Sequence, residues 1–333
     1  MTTHHACKIP LFSEQIRTIL IFARYPVQGK VKTRLIPTLG PLGAARLYRR
    51  MTEHTGGVAR ATRETEGSEN DLEIRICFTG AGQRRFRSWL GSDFKYVQQA
   101  SGDLGSRMLG AFRMAFQNGT GAAVAVGSDI PGLTARILAQ AFEGLRHHDL
   151  VIGRARDGGY YLIGMKSLYP ALFEAIDWGT ERVYQQTRDK IRRLGLSVAD
   201  LPLLDDVDRP EDLARLGMDS RFADVLTGKP WVSVIIPTLN ESGTIGLLLN
   251  RLHPSEGVEC IVADGASGDD TREIASRAGA KVLEVSGGRA LQQNAGAAVA
   301  KGRFLFFLHA DTIPPQGYAD KIRRALDRPE TVA

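Results

Sequence analysis

The chain has 333 residues, 43% hydrophobic and 24% charged, with a formal net charge of +6; at roughly one domain per 150 residues this predicts about two ordinary globular domains. The basic surplus is mild and forms no lysine–arginine run interleaved with aromatics, which excludes nucleic acid as the expected partner while suiting phosphate-bearing substrates. Cys7, Cys77 and Cys260 lie far apart without CxxC spacing, pointing to a reducing compartment and no structural zinc. The first 14 residues lack the apolar region of a signal peptide, and no stretch approaches the roughly 18 apolar residues that span a bilayer. A cytoplasmic protein without a transmembrane segment is expected.

Strands and helices alternate from end to end. A strand is expected at Arg17–Ala23, a helix at Pro41–Arg63 with proline in its first turn, a strand at Leu72–Phe78, a short helix at Gln83–Leu90 and a strand at Lys95–Gln98. An amphipathic helix comes next at Ser106–Gln117, then a strand at Ala122–Val126 and a helix capped by Thr134 and running through Arg146. Strands at Leu150–Gly153 and Tyr160–Met165 flank an Arg-Asp-Gly-Gly turn, and helices are read at Ser167–Ala175, at Glu181–Leu194 and from Pro210. Glu211 and Asp212 stand in the first turn of the last, where they complement the helix dipole.

The pattern breaks over 218–230, which is read as a linker between a domain at 16–217 and another at 231–333. In the second, strands are expected at Val232–Pro237, Val258–Ala263, Lys281–Val285 and Phe304–Leu308. Helices run from a Ser242 cap through Leu252, from near Asp269, and over Leu291–Ala300. Alternating β and α elements predict α/β domains with mostly parallel sheets covered by helices.

One device occurs twice. An apolar strand runs into an aspartate followed closely by Ile-Pro, at Ala122 to Pro131 around Asp129 and at Phe304 to Pro314 around Asp311. A carboxylate at the C-terminal end of a buried parallel strand stands where open α/β sheets bind ligands. Dinucleotide and P-loop devices are absent: Gly80-Ala-Gly-Gln-Arg-Arg85 lacks the third glycine, and Gly29-Lys30 is followed by Val31. The first strand leads instead into a Gly/Pro loop that carries Lys30, Lys32 and Arg34 in alternation. Point-charge lysines and a forked arginine are donors suited to phosphate oxygens, and by count alone they fit a solvated basic loop as well.

Five ordered strings carry a resemblance: Lys30-Val-Lys-Thr-Arg-Leu35, Gly102-Asp-Leu-Gly-Ser-Arg-Met108, Gly127-Ser-Asp-Ile-Pro-Gly-Leu-Thr134, Arg156-Asp-Gly-Gly-Tyr-Tyr-Leu-Ile-Gly164 and Asp206-Val-Asp-Arg-Pro-Glu-Asp-Leu213. Over residues 16–217 the chain resembles the bacterial radical-SAM/selenodomain-associated transferase 1 family. That resemblance implies a GT-A-like nucleotide-diphospho-sugar transferase fold, similar to the guanylyltransferases of cofactor synthesis. Over 231–333 it resembles glycosyltransferase family 2, in the selenodomain-associated transferase 2 (arsenosugar-biosynthesis) branch. There the strings are Val232-Ser-Val-Ile-Ile-Pro-Thr-Leu-Asn-Glu241, Val262-Ala-Asp-Gly-Ala-Ser-Gly-Asp-Asp-Thr271, Gly288-Arg-Ala-Leu-Gln-Gln-Asn-Ala-Gly-Ala297 and Leu308-His-Ala-Asp-Thr312.

The site roles are expectations. Asp129 and Asp311 are the metal candidates, each bridged by Mg²⁺ or Mn²⁺ to a donor diphosphate. Lys30, Lys32 and Arg34 are read as phosphate donors, and Asp157, beside two glycines, as a ligand contact or a turn aspartate. Asp103 contacts a base or caps the adjoining helix, and Asp206 and Asp208 offer a second metal ligand or, for Asp208, a helix cap. In the second domain Pro237, Asn240 and Glu241 turn the chain where a base or ribose docks, and the family resemblance puts Asp264 on the uracil or ribose. Asp269 shares that reading or caps a helix, and Arg289 reaches the diphosphate or is solvated. His309 stands where GT-A proteins carry the first acid of Asp-x-Asp, as a ligand or as a structural histidine.

In this family the general base lies beyond the Asp-x-Asp strand, and the chain ends at Ala333. The second domain is therefore expected to be truncated, inactive alone, and to expose an apolar sheet edge. Three activities remain open: a metal-dependent glycosyltransferase using a nucleotide-sugar donor, a nucleotidyltransferase releasing pyrophosphate from an NTP in the first domain, and a degenerate nucleotide-binding module. The acceptor is not legible.

Overall fold

The computed structural model describes residues 16–66, 71–217, 219, 221–226, 230–252, 257–315 and 317–326. Cys7, the C-terminal Ala333 and part of the expected linker lie outside them. The chain divides into two compact units, Met1–Asp219 and Ser220–Ala333.

Unit 1 runs β1 (Ile16–Arg24), α1 (Ile36–Glu66), β2 (Leu72–Thr79), α2 (Gln83–Leu90), β3 (Lys95–Gln98), α3 (Leu104–Gln117), β4 (Thr120–Gly127), α4 (Ala135–His147), β5 (Leu150–Ala155), β6 (Tyr160–Met165), α5 (Val183–Arg193), β7 (Val198–Leu204) and α6 (Asp212–Leu216). Its seven strands form one sheet in the order β3-β2-β1-β4-β6-β5-β7. The β1, β2, β3 and β4 pairings are parallel, as is β5 with β7. Only β6 runs against its neighbours β4 and β5, because a tight turn rather than a helical crossover joins β5 to β6. Both faces are covered. Ile19, Ile21, Ile74, Val124 and Val126 pack with Phe86, Trp89 and Phe142 on one side, while Leu20, Cys77, Ala123 and Ala125 pack with Met108, Phe112 and Ile191 on the other. The strands therefore read as continuous apolar runs, and each large side chain so buried contributes about 1.5–3 kcal/mol.

Several expectations need correction. The helix at Ser167–Ala175 is a single 3-10 turn at Pro170–Leu172, since the residue before a proline is driven out of the helical region. Strand β7 was not expected: Pro202 inside Val198–Leu204 argues against a central strand, but β7 is an edge strand, where proline is tolerated. Helix α6 starts at Asp212 rather than Pro210, and the Asp212 carboxylate accepts the N–H groups of Asp208 and Arg209 at 3.1 and 2.8 Å. Helix α1 begins at Ile36, breaks at Gly40 and resumes at Pro41, the expected start.

Unit 2 runs α7 (Ala223–Leu226), β8 (Val232–Thr238), α8 (Ile245–Leu252), β9 (Val258–Asp264), α9 (Thr271–Arg277), β10 (Lys281–Glu284), α10 (Arg289–Val299), β11 (Phe304–Phe307) and α11 (Tyr318–Leu326). Its four strands are all parallel, in the order β10-β9-β8-β11. Val232, Val234 and Ile236 pack with Leu248, Leu249, Leu252 and Tyr318. Strand β11 lies at a sheet edge and leaves Leu305 and Phe307 exposed. Helix α7 falls inside the stretch read as linker, and α8 begins at Ile245 rather than at Ser242.

Cys77 and Cys260 are buried free thiols, and burial pushes both up to about 12, so neither is a thiolate nucleophile at neutral pH. Among the described residues no helix is long and apolar enough to cross a membrane.

Candidate nucleotide and metal sites

In unit 1 Lys32, Arg34, Asp129, Asp157, Asp206 and Asp208 gather beyond the C-terminal ends of β1, β4, β5 and β7, the ligand-binding side of an open α/β sheet, whereas Asp103 follows the edge strand β3 and is not brought to them by any contact among the described residues. Lys32, in the loop after β1, has a left-handed backbone conformation, φ 44 and ψ 47. Its side chain, only 6% exposed, turns inward, placing Nζ 2.8 Å from Asp129 and 3.4 Å from Asp208. Burial opposes its charge, but the Asp129 and Asp208 carboxylates outweigh burial and hold its pKa above the ordinary lysine value. Arg34 Nη1 lies 2.6 Å from Asp208 Oδ2, and Lys30 is exposed. The alternating trio is thus split, with two of its members engaged by carboxylates.

Asp206 is partly buried, and burial, followed by the Asp157 and Asp129 carboxylates, pushes it up to about 6. The folded state therefore holds this proton more tightly than the unfolded chain. Stability contributed by the protonated acid is present below about pH 4 and is lost as pH rises through 6. Asp206→Asn should raise the melting temperature of unit 1 at pH 8 by roughly 2–4 °C, for about 1 kcal/mol after solvent screening, and change it little at pH 4. Thermal melts at the two pH values check this.

Asp157 occupies the β5–β6 turn and accepts the Gly159 N–H at 2.8 Å. Gly158, at φ +91, lets that turn lie against the backbone of Glu181. Asp103 is the N-cap of α3: its carboxylate accepts the Ser106 N–H at 2.8 Å, and this bond holds it below the ordinary carboxylate range. Thr134 caps α4 as expected. Sequence reasoning missed Tyr48. From α1 its hydroxyl accepts the Arg24 N–H at 2.8 Å and bonds Ser128 at 3.0 Å, fixing the end of β1 to the residue before Asp129. A tyrosine in a helical pattern carries no signal of such a bond.

In unit 2 the loops after β8 and β9 are laced together. Pro237 lies buried in β8. Asn240, at φ 55, accepts the Gly268 N–H at 2.9 Å and donates its own to Ser267 Oγ at 2.8 Å. The Glu241 N–H donates to Thr271 Oγ1 at 2.8 Å, and its carboxylate accepts from Thr244 at 2.7 Å. Asp264 is fully buried at the end of β9 and accepts from Thr238 Oγ1, Ser267 N–H and Ser267 Oγ at 3.0, 2.8 and 2.6 Å.

Asp269 accepts from Thr271 and from the Ser242 N–H, and these bonds hold it well below the ordinary range; the N-cap of α9 is Asp270. Gln292, also missed, is buried and donates to the Thr238 carbonyl at 3.0 Å. Arg289 opens α10 and is exposed, as are His309 and Asp311 beyond β11; Thr312 Oγ1 donates to Asp311 at 3.1 Å. Asp264→Ala should cost unit 2 about 3 kcal/mol, because it strands buried donors without partners; a calorimetric melt of the full chain checks this.

Among the described residues no group of three or more acids, histidines or cysteines is disposed to hold a metal by itself. One or two carboxylates are enough for Mg²⁺ or Mn²⁺ when substrate phosphates and water complete the shell. The carboxylates of Asp129 and Asp157, near enough to Asp206 to add to the effect of burial on its proton affinity, fit that chemistry together with Asp206.

Each unit is thus GT-A-like: a mainly parallel sheet with carboxylates and cations at its ligand-binding ends. The chain belongs to the bacterial family described as "Uncharacterized protein conserved in bacteria (DUF2064)", matched over residues 64–180, and carries a glycosyl transferase family 2 domain matched over residues 233–333. The first match spans Asp103, Asp129 and Asp157 but not the Lys30–Arg34 loop.

A structure of a proposed nucleotide-diphospho-sugar transferase from Desulfovibrio desulfuricans G20 is similar at 38% identity and TM-score 0.55, covering 62% of this chain and 89% of that one. A 4-diphosphocytidyl-2C-methyl-D-erythritol synthase from Anaerococcus prevotii DSM 20548 is 12% identical over 61% of this chain and 95% of that one, TM-score 0.42. A Pyrobaculum calidifontis mannosyltransferase, in complex with GDP-Man and Mn²⁺, is 26% identical over 30% of this chain and 33% of that one, TM-score 0.27. The last two are too distant to carry an argument about this chain. No curated protein matches.

Proposed function

We propose that the chain is a metal-dependent transferase acting on nucleotide-activated sugars, built from domains at 16–217 and 231–333 joined by 218–230, and working in the cytoplasm. The observation that supports this most is the unit 1 cluster: Asp129 lies two residues past the end of β4 beside Asp206, whose proton affinity is raised by burial and then by the Asp157 and Asp129 carboxylates. Such a cluster attracts a cation. When bound, a divalent metal would offset charge developing on the departing diphosphate.

Asp129 holds that metal in unit 1, with Asp206 as second carboxylate, and Asp311 holds its counterpart in unit 2. Lys30, Lys32 and Arg34 serve the phosphates. Asp103 and Asp157 border the nucleotide, Asp103 through the helix end it caps. In unit 2 Pro237, Asn240, Glu241 and Asp264 shape the base and ribose pocket, and Arg289 serves the diphosphate.

A second reading is a nucleotidyltransferase in unit 1, favoured by three cations on one short loop, since a triphosphate calls for more positive charge than a diphosphate. The full chain should be assayed with Mn²⁺ against a panel of nucleotide-sugars and a panel of NTPs. Nucleotide-sugar turnover supports the first reading, and pyrophosphate release alone replaces it with the second. Nucleotide binding that survives both chelation and Asp129→Ala would instead mark a non-catalytic binding module.

A further inference from the structure

Lys32 is held in a way that a plain phosphate-binding lysine is not. Its backbone sits in the left-handed region, its side chain is almost wholly buried, and its ammonium bridges Asp129 and Asp208. Those two carboxylates are themselves about a third exposed, 35% and 32%, so they remain reachable from solvent on their other side. Asp208 keeps a second cation, Arg34, whatever Lys32 does. Asp129 has only Lys32 as a cationic partner among the described residues.

We propose that Lys32 is a placeholder cation: in the metal-free protein its ammonium occupies Asp129, and a divalent metal entering the site displaces it toward the incoming phosphates. The proposal rests on the reading of Asp129 as a metal ligand. Its physical basis is charge balance. Four carboxylates, Asp129, Asp157, Asp206 and Asp208, crowd one sheet end, and some cation must be present for the fold to tolerate them. Lysine and metal compete for the same carboxylate, because two cations there would repel at short range. A flexible four-carbon stem with three donors can swing from one oxygen set to another without the chain moving. Phosphate binding, by drawing Lys32 away, therefore favours metal binding, and by reciprocity metal favours phosphate.

The test uses the full chain carrying Asp311→Asn, so that only unit 1 is counted, and Mn²⁺ alone as the probe in calorimetric titration. Lys32→Met, which keeps the stem and removes the charge, should bind Mn²⁺ about tenfold more tightly than the parent. Lys32→Arg should bind it as weakly as the parent, and Asp129→Asn should abolish binding. Loss of binding in Asp129→Asn with no tightening in Lys32→Met overturns the placeholder and leaves the metal reading standing. Unchanged binding in Asp129→Asn removes the metal reading itself.

A measurement on the unsubstituted Lys32 covers the case in which Lys32→Met does not fold. Saturating Mn²⁺ should raise the rate of amine acylation at Lys32 several-fold, followed by peptide mass spectrometry with Lys281 as the internal control. An unchanged rate at Lys32 overturns the proposal.

Discussion

With Asp129 as the proposed metal ligand, Asp129→Asn should lower the turnover that depends on unit 1 on the order of a thousandfold, because several kcal/mol of transition-state charge stabilisation would be lost with the metal. Its side chain is nearly isosteric, so the β4 end and the Tyr48–Ser128 bond beside it should survive. The charge is what disappears. Lys32 then keeps a single carboxylate, Asp208 at 3.4 Å, and unit 1 should lose about 2 kcal/mol, a buried ammonium having lost the charge of its nearer partner.

The sign with pH is fixed by the direction of the Lys32 shift. Its folded pKa is raised, so the contribution is complete below the ordinary lysine value and is lost only as pH rises through the folded one. At neutral pH the difference between parent and variant should therefore be flat. Rates with Mn²⁺ and melts between pH 6 and pH 8 measure both effects at this ion pair. Asp311→Asn, assayed alongside, assigns each activity to a unit: turnover that falls with Asp129→Asn and not with Asp311→Asn belongs to unit 1.

Gly158→Ala should be the most damaging single-methyl change in unit 1. A Cβ there would stand 2.3 Å from the carbonyl oxygen of Glu181 and 2.6 Å from its Cα. Both are backbone atoms, so no rotamer change relieves the clash. The residue also holds φ +91, a region that costs an L-residue about 1–2 kcal/mol before any clash is counted. A total near 4 kcal/mol is expected, or roughly 10 °C in melting temperature for a unit of this size. The turn must then move, carrying Asp157 away from Asp206.

Gly159→Ala is the control. Its Cβ would meet only the Asp157 carboxylate at 3.2 Å, and its φ lies outside the positive region. The cost should stay under about 1 kcal/mol. Calorimetry on the pair separates a requirement for glycine at 158 from a general intolerance of the turn. Equal melting temperatures for the two variants would refute the backbone-clash account.

The features legible in the sequence were local or periodic. Runs such as Ile19 to Ala23 and Ala122 to Val126 are apolar because both faces of the sheet are covered. Thr134 announced α4 by a hydroxyl three residues before the amide it accepts. The single Pro202 hid β7, since the same residue argues against a central strand and permits an edge one. Candidate site residues were legible as types but not as partners. Lys32 meets acids 97 and 176 positions away, and its inward turn depends on a left-handed backbone that lysine adopts rarely. Tyr48 and Gln292 act through a hydroxyl and an amide that bond distant backbone groups, and no spacing rule marks them.

The bonded loops after β8 and β9 bear on how tightly unit 2 would hold the nucleotide-sugar proposed for it. Asn240, Glu241, Asp264 and Asp269 are tied to Ser267, Gly268 and Thr271 before anything binds. The conformational entropy of ordering these loops is thus already spent during folding. Association then costs little beyond the loss of tumbling freedom and the ordering of exposed Arg289. A preorganised cradle of this kind should show a modest unfavourable entropy of association, and loosening it at Asp264 should raise the dissociation constant even though that buried carboxylate is fully occupied within the protein.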